Sequence, residues 1–138
     1  MELMKLFLLV FTAFSISSCD SNQNVDAFVL NRVIDGDTIV ANDQKIRFWG
    51  IDTPERNEPY AQEATDFLQN MLLDGVLTCD HKDIDRYQRL VMQCFINGKD
   101  VGSILVSNGL ATDFERYSGG FYANEENLAK SKRLGILQ

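Results

Sequence analysis

The first apolar run of this chain differs in kind from all later ones. Leu6 to Phe14 is nearly continuous, follows Lys5 and gives way to Ser15, Ser17 and Ser18 ahead of Cys19, which is the order of an export signal rather than of a folded element. It is too short to span a bilayer as a mature helix. Past this point the pattern turns β-like: Ala27–Ile34 and Thr38–Ala41 are rich in β-branched side chains and flank Asp35-Gly36-Asp37, and Lys45–Ile51 supplies a third such run. Together they predict a twisted β-meander.

At Pro59 the period lengthens. Tyr60, Ala64, Phe67, Leu68, Met71 and Leu72 fall at three- and four-residue steps, the greasy face of a helix that Pro59 opens and Asp74-Gly75 ends. Val76–Cys79 and Leu90–Ile96 read as two more strands. Asp100 is placed to cap a short helix carrying Val101, Ile104 and Leu105 before Asn108-Gly109 stops it. A last helix is expected around Asn124–Leu134, with Glu126 one turn ahead of Lys130. Three strands, a helix, two strands and two helices suit an α+β, mainly β fold: a five-stranded OB-fold barrel with about three helices packed outside.

Composition narrows the picture. A length of 138 residues allows one domain, and 45% hydrophobic content with 24% charge excludes a disordered or collagen-like chain. Thirteen Lys+Arg against 20 Asp+Glu leave a net charge of −7, which disfavours a protein that coats nucleic acid with a broadly basic surface. Local basic sites stay open. Removing residues 1–18 takes one Lys and one Glu with it, so the acidity belongs to the domain.

The organisation expected is therefore residues 1–18 as signal peptide, 19–26 as a lipidated cysteine and polar tether, and 27–138 as the folded domain. Ile16-Ser17-Ser18-Cys19 resembles a bacterial lipoprotein box, with Cys19 carrying the lipid; the alternative is ordinary cleavage nearby. This places the protein outside the cytoplasm, in the cell envelope or secreted. Cys79 and Cys94 then lie in an oxidising compartment, on two short β-rich runs, and are expected to pair. Two buried reduced thiols are the other reading.

Four carboxylates crowd two corners: Asp35 and Asp37 in Ile34-Asp35-Gly36-Asp37-Thr38, and Asp52 and Glu55 in Gly50-Ile51-Asp52-Thr53-Pro54-Glu55. Asp-Gly-Asp-Thr alone reads as a hairpin turn. Brought together, the corners would offer the oxygen ligands a hard divalent cation requires. Arg47 stands on the strand before Asp52, and Arg89 ends Asp85-Arg86-Tyr87-Gln88-Arg89. Guanidinium forks bind phosphate oxygens in pairs. A cation, two arginines and a carboxylate are the minimum apparatus for attack of water on a phosphodiester.

Those stretches, with Ile46-Arg47-Phe48-Trp49 between them, closely resemble the staphylococcal-nuclease-like (thermonuclease) family, over about residues 27–136. The resemblance implies an OB-fold nuclease that uses calcium (Ca2+) to hydrolyse DNA or RNA with little sequence preference, leaving 3′-phosphate ends. It implies Asp37 and Asp52 as calcium ligands through carboxylates and Thr53 through its carbonyl, with Asp35 behind them. Glu55 becomes the general base, and Arg47 and Arg89 the phosphate clamps.

This sequence also departs from the family pattern. Gln88 stands where the family usually has Gly, so a turn needing a positive φ is strained there. Arg56-Asn57-Glu58-Pro59 is shorter than the lysine-bearing loop of the best-known members. After Gly109-Leu110-Ala111, Phe114 or Tyr117 is the candidate stacking face in place of a tyrosine, with Tyr87 as the third candidate. His81 reads as a surface residue, the Lys130, Lys132 and Arg133 run as a solvated helix end, and Trp49 as structural. No feature indicates a protein partner or assembly, so a monomer is expected. The rival reading is a non-catalytic OB-fold module that binds nucleic acid or an envelope protein, motivated by the missing loop and the acidic charge.

Overall fold

The computed structural model describes residues 26–138, so the signal, the Cys19 lipidation site and most of the tether lie outside the described residues. The expected meander is present. β1 (Leu30–Asp35), β2 (Thr38–Ala41) and β3 (Gln44–Phe48) run antiparallel in order. β6 (Leu90–Ile96) then lies parallel to β3, and β5 (Leu77–Ile84) pairs antiparallel with β6 on its far side. The resulting order is β1-β2-β3-β6-β5, with the two-residue β7 (Lys99–Asp100) added to β6. Ahead of β1, Phe28 donates its N–H to the carbonyl of Leu77 at 2.7 Å, so the outer strands approach each other at one bridge.

The architecture is mixed α+β with four helices, where the sequence suggested about three. α1 (Ala61–Leu73) lays Ala64, Leu68 and Leu72 on the core, as its spacing predicts. It starts later than Pro59 because Tyr60 is left-handed, φ 68°, and only its carbonyl joins the helix, accepting from Ala64 N–H at 2.9 Å. α2 (Val101–Ser107) is capped by Asp100, whose carboxylate accepts from Ser103 N–H at 3.0 Å. α4 (Ala123–Ser131) packs on α2, with the Glu126–Lys130 pair formed at 3.1 Å. The extra helix, α3 (Glu115–Ser118), is a single turn with no buried residue, too short to leave an apolar period. Among the described residues no helix is long and apolar enough to cross a membrane.

Ile39, Ile46 and Phe48 from the meander, Leu68 from α1, and Val101 and Leu105 from α2 form the centre of the core. Cys79 and Cys94 stand directly opposite each other on β5 and β6, Cα to Cα 4.0 Å, and are joined as a disulfide. One expected element is split. Lys45–Ile51 does not run through as one strand, because Gly50 turns at φ 74° and a side chain there would meet Ser118 Cβ at 3.0 Å. Ile51–Asp52 resumes as β4 and pairs with β8 (Thr112–Asp113), with Asp52 opposite Thr112.

Candidate active site

The first acidic corner is built by a hairpin irregularity. Between Val33 and Asp35 the pairing of β1 with β2 slips by one residue, a bulge that re-aims the chain where the turn begins. Asp35 then accepts the N–H of Asp37 at 3.1 Å, and Asp37, only 9% exposed, accepts the Thr38 hydroxyl at 2.9 Å. Burial, and next the charge of Asp37, pushes the Asp35 carboxyl above its usual range. Gly36 is required by crowding: a Cβ there would stand 2.9 Å from Ala64 Cβ and 3.2 Å from the Thr53 side chain. The corner is thus seated against α1 and the Asp52-Thr53-Pro54 segment.

The second corner follows β4. Thr53 is buried while Asp52 and Glu55 face outward. Glu55 N–H donates to the Glu58 carboxylate at 2.8 Å, and Glu58 N–H returns to the Glu55 carbonyl at 2.8 Å. This reciprocal turn fixes the backbone of the short 55–58 segment. Burial, opposed by Arg47 and reinforced by Asp37, raises the Asp52 carboxyl above its usual range. A cleft of about 450 Å³ is lined by Asp35, Asp37, Thr53 and Glu55 together with Gln62 and Thr65 of α1. A neighbouring cleft of about 570 Å³ is lined by Asp52, Thr53, Pro54 and Tyr60. Thr53 and Pro54 belong to both walls.

The sheet delivers the arginines. Thr38 is paired with Arg47 across β2 and β3, and Ile46 with Leu90 across β3 and β6, so Arg47 and the residue before Leu90 approach from adjacent strands. Arg47 Nη2 stands 3.2 Å from Asp37 and 3.7 Å from Asp52, and its Nη1 donates to the Phe48 carbonyl at 2.6 Å. Arg89 reaches the same corner through Thr38, donating from Nη1 to Oγ1 at 3.3 Å. Its Nε is held by Asp85 at 2.7 Å. Gln88, at φ 62°, has the positive angle that a glycine would take freely, yet Arg89 still arrives.

Asp35, Asp37, Arg47, Asp52, Thr53 and Arg89 are therefore connected through direct contacts or one shared wall, and Glu55 lines the first cleft together with Asp35 and Asp37. The aromatic candidates are more scattered. Tyr87 is 64% exposed with the guanidinium groups of Arg86 and Arg89 at 4.9 and 5.4 Å from its ring. Phe114 and Tyr117 pack edge to face on each other at 4.8 Å, beyond β8. His81 is exposed, as expected. Two positioning residues were not singled out from sequence: Thr38, which shares its hydroxyl between Asp37 and Arg89, and Asp85, which also accepts the N–H groups of Tyr87 and Arg89. The four-residue spacing of Asp85 and Arg89 was the available signal.

The donor chemistry fits a hard cation. Asp37 and Asp52 offer only oxygen, and both already converge on one cationic atom, Arg47 Nη2. Among the described residues no three His, Cys, Asp or Glu side chains are grouped to hold a metal by themselves.

Comparison with known proteins returns the family that the sequence resembles. A family model described as staphylococcal nuclease homologue matches residues 45–138. A staphylococcal-like nuclease of Arabidopsis thaliana is 36% identical over 99 residues, covering 71% of this chain and 31% of the relative. A thermonuclease of Staphylococcus hyicus is 34% identical over 103 residues, 66% of this chain and 61% of the relative. An uncharacterized endonuclease of Escherichia coli is 33% identical over 92 residues, 63% and 60% respectively. The chain thus spans less than two thirds of each of these three relatives.

Proposed function

Because the chain belongs to the staphylococcal nuclease homologue family, we propose that it is a nuclease hydrolysing phosphodiester bonds of DNA, RNA or both with little sequence preference. The observation that carries this reading is the convergence of two arginines on one buried acidic corner, Arg47 directly on Asp37 and Arg89 through Thr38. Two guanidinium groups beside a carboxylate cleft suit the five-coordinate, dianionic transition state of attack at phosphorus better than a neutral ligand.

In this reading the Arg47 and Arg89 forks hold the scissile phosphate. Glu55, exposed at the cleft mouth, takes a proton from the attacking water as its oxygen bonds to phosphorus. The bond from phosphorus to the 5′ oxygen breaks, Arg89 steadies the charge on that leaving oxygen until solvent protonates it, and a 3′-phosphate remains. Asp37 and Asp52 through carboxylates and Thr53 through its carbonyl would hold calcium, with Asp35 behind them. When bound, the ion supplies positive charge to the phosphate oxygens.

The curled sheet is read as a five-stranded OB-type barrel, and the protein as a monomer. Residues 1–18 and Cys19 would export it and tether it by lipid in a bacterial cell envelope. The test is end-group analysis of single-stranded DNA treated with the 138-residue chain and calcium. The expected products carry 3′-phosphates, and Glu55→Ala slows their release by roughly 10²–10⁴-fold without changing the melting temperature. Products ending in 3′-hydroxyls, or a Glu55→Ala rate equal to the parent's, would contradict the mechanism.

A further inference from the structure

Two residues beyond Arg47, the indole of Trp49 meets the ring of Phe121 at 5.5 Å and carries the ammonium of Lys82 4.8 Å from its centroid. None of these three belongs to the acidic site. Arg47 lies on β3 and Trp49 one residue past its end at Phe48; both are half-buried, between the buried Ile46, Phe48 and Gly50, so the alternation of the strand carries on through Trp49. They are about 6.6 Å apart along the chain, roughly the reach of one nucleotide. The backbone N–H of Trp49 donates to the Met92 carbonyl at 2.9 Å, which fixes the residue beside β6.

The cluster has a rigid floor and an open top. Beneath it, Tyr122 is 1% exposed, contacts Phe121 and Trp49 at ring distances of 4.9 and 6.0 Å, and donates its hydroxyl to Asp100 at 3.0 Å. Burial, and next the charge of Asp100, pushes the Tyr122 phenol far above its usual range, so it stays a donor. Above it, Phe121 keeps 56% of its surface in water, and Lys82 stands exposed where β5 slips register between His81 and Asp83. Aromatic faces interleaved with a cation match a polyanion that carries flat bases. An exposed cation–π contact contributes about 0.5–1 kcal/mol, while stacking a base contributes about 1–3 kcal/mol. A base stacked on the indole would therefore outcompete Lys82 there and free its ammonium for a flanking phosphate.

Resting on the nuclease reading above, we propose that Trp49, Phe121 and Lys82 form a stacking subsite for an unpaired base of a single-stranded substrate, one nucleotide from the phosphate held by Arg47 and Arg89. It favours single strands because a paired base in a duplex has both faces covered.

Trp49 is the only tryptophan of the chain, so its fluorescence reads this subsite directly. The 138-residue protein is titrated with a single-stranded DNA oligonucleotide in chelator, with the matching duplex and with inorganic phosphate. Saturable quenching by the single strand is expected, with little by the duplex and none by phosphate. Phe121→Ala, checked for an unchanged melting temperature, weakens oligonucleotide binding and raises KM by about 5–10-fold with kcat nearly unchanged. Lys82→Ala gives a smaller loss and a shallower salt dependence. Turnover on single-stranded DNA with no quenching, or with an unchanged KM in Phe121→Ala, would overturn the subsite and leave the nuclease reading standing. Quenching without turnover would keep the subsite and overturn hydrolysis; neither binding nor turnover would overturn both.

Discussion

The guanidinium of Arg47 stands 3.2 Å from the carboxylate of Asp37, and these side chains keep only 15% and 12% of their surfaces open to water. An ion pair so far from solvent is costly to break, because the surviving charge stays buried without a partner. Arg47→Met should therefore lower stability by about 3 kcal/mol in urea denaturation, and added calcium should restore part of the loss by taking the place of the missing positive charge beside Asp37. An unchanged urea midpoint, in chelator and in calcium, would show that the pair contributes nothing.

Asp85 is an acid-sensitive anchor for Arg89. Burial pushes its carboxyl up, but the N–H and guanidinium of Arg89 and the N–H of Tyr87 outweigh it, and the net effect is a value below the usual range. A carboxyl lowered by folding contributes stability that is fully present above its unfolded value, about 4, and is lost as pH falls through the lower folded one. Asp85→Asn should thus be less stable than the parent at pH 7, and the gap should close as pH is taken below about 4. Denaturant midpoints of both proteins across this range check it; a gap independent of pH would contradict the assignment.

Much of this arrangement was legible in the sequence. The helical face of α1, the capping Asp100 and the two acidic corners follow from local spacing, because each is a property of neighbouring residues, while the pairing of Cys79 with Cys94 followed from the expected oxidising compartment and the two β-rich runs that carry them. What was hidden depends on partners far away. The pairing of Asp52 with Thr112 leaves no pattern in strands two residues long. β5 runs to Ile84 rather than ending near Cys79, and its outer half is exposed and polar, so no alternation marks it. The Thr38 link to Arg89 spans 51 residues and is set by strand register alone.

The disulfide closes the β5–β6 hairpin whose tip carries Arg89. With a separation of 15 residues between Cys79 and Cys94, loop-closure entropy in the unfolded chain makes it worth about 3 kcal/mol. Reduction, or the double change Cys79→Ala with Cys94→Ala, should lower the urea unfolding free energy by about that amount. Identical unfolding curves with and without reductant would show that the bridge does not constrain the unfolded chain.

At the tip, Gln88 occupies a left-handed conformation, φ 62°, which costs a residue with a Cβ about 1–2 kcal/mol. Glycine removes that strain but adds about 0.5–1 kcal/mol of unfolded-state entropy. Gln88→Gly should therefore stabilise the protein by about 0.5–1 kcal/mol in chemical denaturation. A destabilised Gln88→Gly would mean that the Gln side chain makes a compensating contact.

The most direct test of the central claim is the rate at which the 138-residue protein releases acid-soluble nucleotides from single-stranded DNA, in calcium and in excess chelator. The account predicts steady release in calcium and its abolition by chelator, with activity returning when calcium is added back. Equal release in both conditions, or none in either from folded protein, would contradict a cation-assisted phosphodiester site built on Asp37, Asp52 and the two arginines.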